Sequence, residues 1–170
     1  MSRALILCLL ALVPSCAPRV LSAPGWQTTL RGTRVSVRLV DAREFGYCSD
    51  RLVGCTVPVG RDCLVLLDRQ YFLNGTPRQK TLLLAHEVGH CLDGSHLAYS
   101  HGGFGDAGKI YGPYYAAPVE GFAEGYARAY LDACGTNLAP LGWGVGEKCP
   151  LPDPRQVRPP APPLPGSLPE

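Results

Sequence analysis

Residues 84 to 96 read LAHEVGHCLDGSH, which brings three histidines, Glu87 and Asp93 together in a few turns of chain. His86 and His90 are four apart, so on a helix they leave one face a turn apart, and both imidazoles can reach one metal ion. Glu87 falls on the neighbouring stripe, where it can hold a water at the metal rather than bind the metal itself. The chemistry this constellation can do is metal-assisted hydrolysis. The competing reading is a polar stripe on a surface helix. Leu82, Leu83, Leu84, Ala85 and Val88 surround the histidines, so the helix is apolar nearly all round and its imidazoles are expected to be buried with partners.

A zinc site of this kind needs a third protein ligand and one open position. Three candidates stand in the sequence: His96, ten residues after His86; Asp106, in GFGDAGKIYG; and Glu120, with Glu124 one turn later in EGFAEGYA. Left to itself, the pair Glu120 and Glu124 would read as a solvated helix face with Arg128 completing an i, i+4 ion pair.

His96 occupies the place of the third histidine in metzincins. That pattern also asks for glycine where this chain has Asp93, and for a methionine turn, whereas the single methionine here is Met1. Asp106 loosely resembles the aspartate of aspzincins, with a longer gap to Tyr111. HEVGHCLD followed some thirty residues later by EGFAEGYA resembles the gluzincin metallopeptidases, and within them the anthrax-lethal-factor-like and Pro-Pro endopeptidase branch. The likeness covers about residues 76 to 134. It implies that His86, His90 and Glu120 hold one zinc ion per chain. It also implies that Glu87 acts as general base and that Glu124 orients a ligand histidine through its far ring nitrogen. Asp93 matches the acidic residue three places after the second histidine, as a contact near the helix end. Where the branch has an oxyanion-stabilising tyrosine, seven residues before the ligand glutamate, this chain has Pro113; Tyr114 or Tyr115 is the expected substitute.

The elements that must position these groups are legible in part. In NGTPRQKTLLLAHEVGHCLDG, Thr76 is an N-cap, Pro77 the first helical residue, Gln79 the capping-box partner and Gly94 the stop. A second helix starts at Pro118 and ends at Gly135, and Gly121 and Gly125 on it would let a neighbour approach closely. Residues 95–116, rich in glycine and tyrosine, read as a long ordered loop. Val35, Val37 and Leu39 alternate with Ser36 and Arg38 as in a half-buried strand after a turn at Arg31 and Gly32. The run 63–68, CLVLLD, reads as a buried strand, and 46–62 as loop. Two to four strands are expected. A strand just before the first helix, with 63–68 the candidate, would offer an edge to an extended substrate. The fold class is α+β: a small twisted sheet packed on two metal-bearing helices, a compact gluzincin-like catalytic domain stabilised by disulfides.

The 170 residues suit one domain, over 24–149. Residues 1–23 read as an export signal, cleaved either after Ala23 or, as in a lipoprotein, before Cys16. Residues 150–170, dense in proline, read as a disordered tail. Cys48, Cys55, Cys63, Cys91, Cys134 and Cys149 then remain for up to three disulfides, with a Cys91 to Cys134 bridge the simplest expectation. A net charge of +2 with no Lys/Arg run argues against a nucleic-acid partner. Membrane contact is expected only through an N-terminal lipid anchor. The whole points to an exported, secreted or envelope-anchored zinc endopeptidase acting on a peptide or protein, with a proline-rich substrate suggested by the branch. The rival from another class is a non-catalytic, zinc-containing exported binding module.

Overall fold

A computed structural model gives the structure and describes residues 23–42, 53–100 and 103–161. The export signal with Cys16, Cys48, His101 and the last part of the proline-rich tail lie outside the described residues.

Strands β1 (Gly25–Leu30) and β2 (Thr33–Val40) form a hairpin. Its two-residue loop, Arg31 and Gly32, has positive φ at both positions (48° and 86°), the geometry that matches the twist of paired strands. Val35, Val37 and Leu39 are buried on the face that the alternation marked. Strands β3 (Gly54–Val59) and β4 (Asp62–Asp68) form a second hairpin, turned at Gly60, whose φ is 64°. The order is β1-β2-β4-β3, with β2 parallel to β4 and the other pairs antiparallel.

Two expectations change here. The 63–68 run lies in β4, which has β2 on one side and β3 on the other, so it cannot offer an edge. The edge on the helix side is β3, inside the stretch that reads as loop. Its Gly54 and Pro58 look like breakers, yet both are tolerated on an edge strand, where the outward ladder is unpaired.

Helix α1 (Arg69–Asn74) is capped by Asp68, which accepts from the Tyr71 N–H at 2.7 Å. Helix α2 (Pro77–His96) begins with the expected capping box: Thr76 Oγ1 accepts from Gln79 N–H, and Gln79 Oε1 from Thr76 N–H. It does not stop at Gly94. That glycine makes room for Tyr99, whose hydroxyl oxygen would lie 2.6 Å from a Cβ there, and the helix runs on to His96. Within the expected loop 95–116 stand a short helix α3 (Ala107–Tyr111) and two 3-10 turns, Phe104–Asp106 and Pro113–Ala116. Helix α4 (Pro118–Cys134) ends at Gly135, with φ 59°. Gly121 sits under the Phe104 carbonyl and Ala107, and Gly125 under the Phe104 ring and Val157, the close approaches the sequence suggested.

The core lies between the sheet and the α2/α4 pair, with Phe72, Leu84, Val88, Leu92, Phe122, Tyr126 and Tyr130 buried against Val35, Val37, Val65 and Leu67. No helix among the described residues is long and apolar enough to cross a membrane.

The disulfides differ from the expected one. Cys91 pairs with Cys63, tying α2 to β4, and Cys134 pairs with Cys149, tying the end of α4 to the following segment; Cys55 is disulfide-bonded as well. Cys91 leaves α2 towards the sheet, so α4 is held to α2 by packing instead. Residues 150–161 are also not a free tail. Arg31 donates to the Leu151 and Pro152 carbonyls at 2.7 and 3.1 Å, Pro154 is buried in a 3-10 turn, and Leu151 and Val157 pack on the core. Proline density here marks a stiff strap rather than a solvated coil.

The Cys63–Cys91 bridge closes 28 residues. Replacing both cysteines with alanine should cost about 3 to 4 kcal/mol through unfolded-chain entropy. Urea unfolding of the double variant beside the parent checks this.

Candidate metal centre

The site is set where α2 and α4 touch. Gly89 faces Ala123 and Tyr126 so closely that a Cβ there would lie 3.1 Å from Ala123 Cα and 3.2 Å from Tyr126 Cβ. One residue on from Gly89, and three before it, stand His90 and His86, aimed at the start of α4. His86 Nε2 is 3.1 Å from Glu120 Oε2, His90 Nε2 is 3.4 Å from the same oxygen, and the two Nε2 atoms are 3.2 Å apart. Among the described residues His86, His90 and Glu120 are the group of donor atoms that could hold a metal ion.

Their spacing tests that capacity. Donors about 2.0 to 2.1 Å from one ion at tetrahedral angles stand about 3.3 Å from one another. The three observed separations bracket that figure. Two ring nitrogens and a carboxylate oxygen meet at one place, an arrangement that a shared positive charge stabilises. Without a metal a proton must supply it. Burial disfavours charging His86, but hydrogen bonds to Glu120 and Glu124 and the charge of Glu87 outweigh that and raise its pKa to about 9. Glu120 is pushed the other way: burial opposes its ionisation, yet the two histidines hold its carboxyl well below the usual range.

The surroundings orient these donors. Glu124 Oε2 stands 3.7 Å from His86 Nδ1, on the ring's far side from Glu120. That is long for a hydrogen bond but placed to fix the ring's tautomer. Arg128 grips the other oxygen of Glu124 at 2.7 Å and lies 4.1 Å over the Tyr111 ring. The i, i+4 pair of the bland reading therefore exists, and it belongs to the site. Glu87 is buried against the edge strand, with Thr56 Oγ1 2.8 Å from its Oε2 and 2.9 Å from its main-chain oxygen. Burial pushes the Glu87 carboxyl up, partly offset by the histidines and Thr56. Gly54 leaves room here, because a Cβ would come 2.5 Å from Glu87 Oε1 and make that carboxyl shift.

Both candidate tyrosines reach the site. The Tyr115 ring centre is 6.1 Å from that of His86, and burial with the charge of Glu124 raises its phenol. Tyr114, 53% exposed, is raised further by burial, by the charge of Glu120 and by a hydrogen bond to it. Both hydroxyls are thus kept protonated, as donors must be. Tyr111 stands one ring further out, under Arg128.

The rival third ligands fall away. Asp106 is exposed and paired with Lys109 at 2.7 Å. His96 lies on the last turn of α2, in the wall of a different cavity from the one that Glu87 and Tyr114 share. Asp93, fully buried on α2, does not join the donor group. Sequence reasoning missed Gly54 and Thr56. Their signal was the β-branched run CTVPV ahead of Gly60, a hairpin signature obscured by its cysteine and proline.

No family model matches the chain, and no curated protein or solved structure matches it either.

Metal content of purified protein should be one ion per chain. Glu120→Ala should abolish retention on dialysis and Glu124→Ala weaken affinity about 10- to 100-fold. His96→Ala and Asp106→Ala should leave it unchanged, all read by elemental mass spectrometry.

Proposed function

We propose that this protein is an exported zinc-dependent endopeptidase of gluzincin type, in which His86, His90 and Glu120 hold the zinc. The observation that carries the reading is the convergence of those three donors beside a buried glutamate that packs on β3, the edge strand of the sheet among the described residues. Two imidazoles and one carboxylate are a donor set found in catalytic zinc sites, which leave a fourth position open. Zinc bound there supplies Lewis acidity and makes water ionisable near neutral pH.

The chain's own residues supply the rest. Glu87, with a carboxyl raised by burial, is suited to accept a proton from water and hand it to the leaving amine. Thr56 keeps that carboxylate pointed along β3. Tyr114 and Tyr115, kept protonated, can donate to the oxygen that gains charge as the carbonyl is attacked. Glu124 and Arg128 hold His86 in place.

Strand β3 supplies the substrate edge. Val59 pairs with Asp62 across a two-residue loop and Asp68 N–H donates to the Val53 carbonyl, so residues 53, 55, 57 and 59 turn their backbone groups to β4. Gly54 and Thr56 turn theirs outward, beside Glu87. An extended peptide adding there as a further strand would lay a carbonyl over the site. The disulfides fit an oxidising compartment outside the cytoplasm.

Glu87→Gln should keep the metal and lower turnover of library peptides by at least about 100-fold, the span of a lost general base. Metal retained with no peptide cut by the parent protein would instead indicate a zinc-containing binding module.

A further inference from the structure

The candidate site lies between two cavities whose outer walls differ in charge, and β3 runs from one to the other. The first, about 440 Å³, opens at the Gly54 end and shares His86, Glu87 and Tyr114. Its far wall is Val53, Tyr71, Leu82 and Leu83, and Val53 and Tyr71 are exposed. The guanidinium there, Arg128, is paired with Glu124. The far wall at this end is apolar and aromatic.

The second, about 490 Å³, opens at the Pro58 end and shares His90 and Thr56. Its wall carries Arg31, Arg61, Asp62 and His96. Asp62 is already paired with Arg34 at 2.9 Å. Arg31 is fixed in place by the Leu151 and Pro152 carbonyls, partners that carry no charge. Arg61, at the hairpin tip, makes no ion pair among the described residues. His96 Nε2 is buried with no hydrogen-bond partner among the described residues. Among the described residues this end holds two guanidinium groups that make no ion pair and a buried ring nitrogen with no hydrogen-bond partner.

We propose that the cleft selects extended peptides carrying an acidic side chain on the Arg31/Arg61 flank and a large apolar side chain on the Val53/Leu83 flank. The inference rests on the endopeptidase reading for what happens between the flanks. Pro58 is two residues from Thr56, about 7 Å along a strand, so the acidic residue lies two or three positions from the scissile bond. Pro58 itself has no N–H to give, which ends the backbone ladder there and leaves side-chain charge to decide that flank. A carboxylate in that cavity would be drawn to the Arg31 and Arg61 guanidinium groups.

The test is binding, read separately from turnover. Zinc-loaded Glu87→Gln would be titrated, by fluorescence anisotropy, with labelled decapeptides bearing Leu on one flank and Glu or Lys on the other, in both chain directions. In one direction the Glu peptide should bind at least tenfold more tightly than its Lys counterpart, and Arg61→Glu should abolish or invert that preference. Equal affinity for the two, no binding of either, or a preference untouched by Arg61→Glu would overturn the proposal. Parent protein assayed on the same peptides separates the two claims: cleavage without charge preference sinks the selectivity alone, and charge-selective binding without cleavage sinks the endopeptidase reading alone.

Discussion

The structure depends on how closely α2 can approach α4. Gly89 presents no side chain to Ala123 and Tyr126, and the helices close until imidazoles from one and a carboxylate from the other meet at 3.1 to 3.4 Å. A larger residue at 89 would push them apart, and a shift of even 1 Å would spoil donor spacing for an ion whose bonds are near 2 Å. The same closeness buries Phe122, Tyr126 and Tyr130 against the sheet, so packing of the core and assembly of the site are one event.

That assembly has an electrostatic cost. His86, Glu87 and Glu124 are buried, and Glu120 is half-buried beside them, so three carboxyl groups crowd around two imidazoles and one arginine. Desolvation works against the charged forms of His86, Glu87, Glu120 and Glu124. A divalent cation at the convergence point would offset the excess negative charge and release the proton that His86 otherwise keeps. Metal binding and folding stability should therefore be linked. The disulfides lie outside the α2/α4 contact, pinning α2 to the sheet through Cys63 and Cys91 and the end of α4 to its strap through Cys134 and Cys149.

Much of this was legible in the sequence because it is local. The capping box at Thr76, the i, i+4 histidines, the Pro118 and Gly135 boundaries and the alternation in β2 each rest on residues within a few positions of one another. Glu120 was one of three candidates in the sequence, singled out only by the resemblance that HEVGHCLD and EGFAEGYA carry together. Non-local relations were not legible. Strand β3 is a strand because β4 pairs with it, and neither Gly54 nor Pro58 announces this. Gly94 reads as a helix stop until Tyr99 is seen filling the space above it. The partner of Cys91 is decided by which face of α2 meets the sheet, and the order of residues 150–161 by Arg31, some 120 positions earlier.

The central claim is that two histidines and a glutamate share one zinc ion, and X-ray absorption at the zinc edge of the purified, zinc-replete protein tests it most directly. The account predicts a first shell of nitrogen and oxygen only, about 2.0 to 2.2 Å from zinc, with multiple-scattering features of two imidazoles and no sulfur. A sulfur shell near about 2.3 Å, or the signature of three imidazoles, would contradict it.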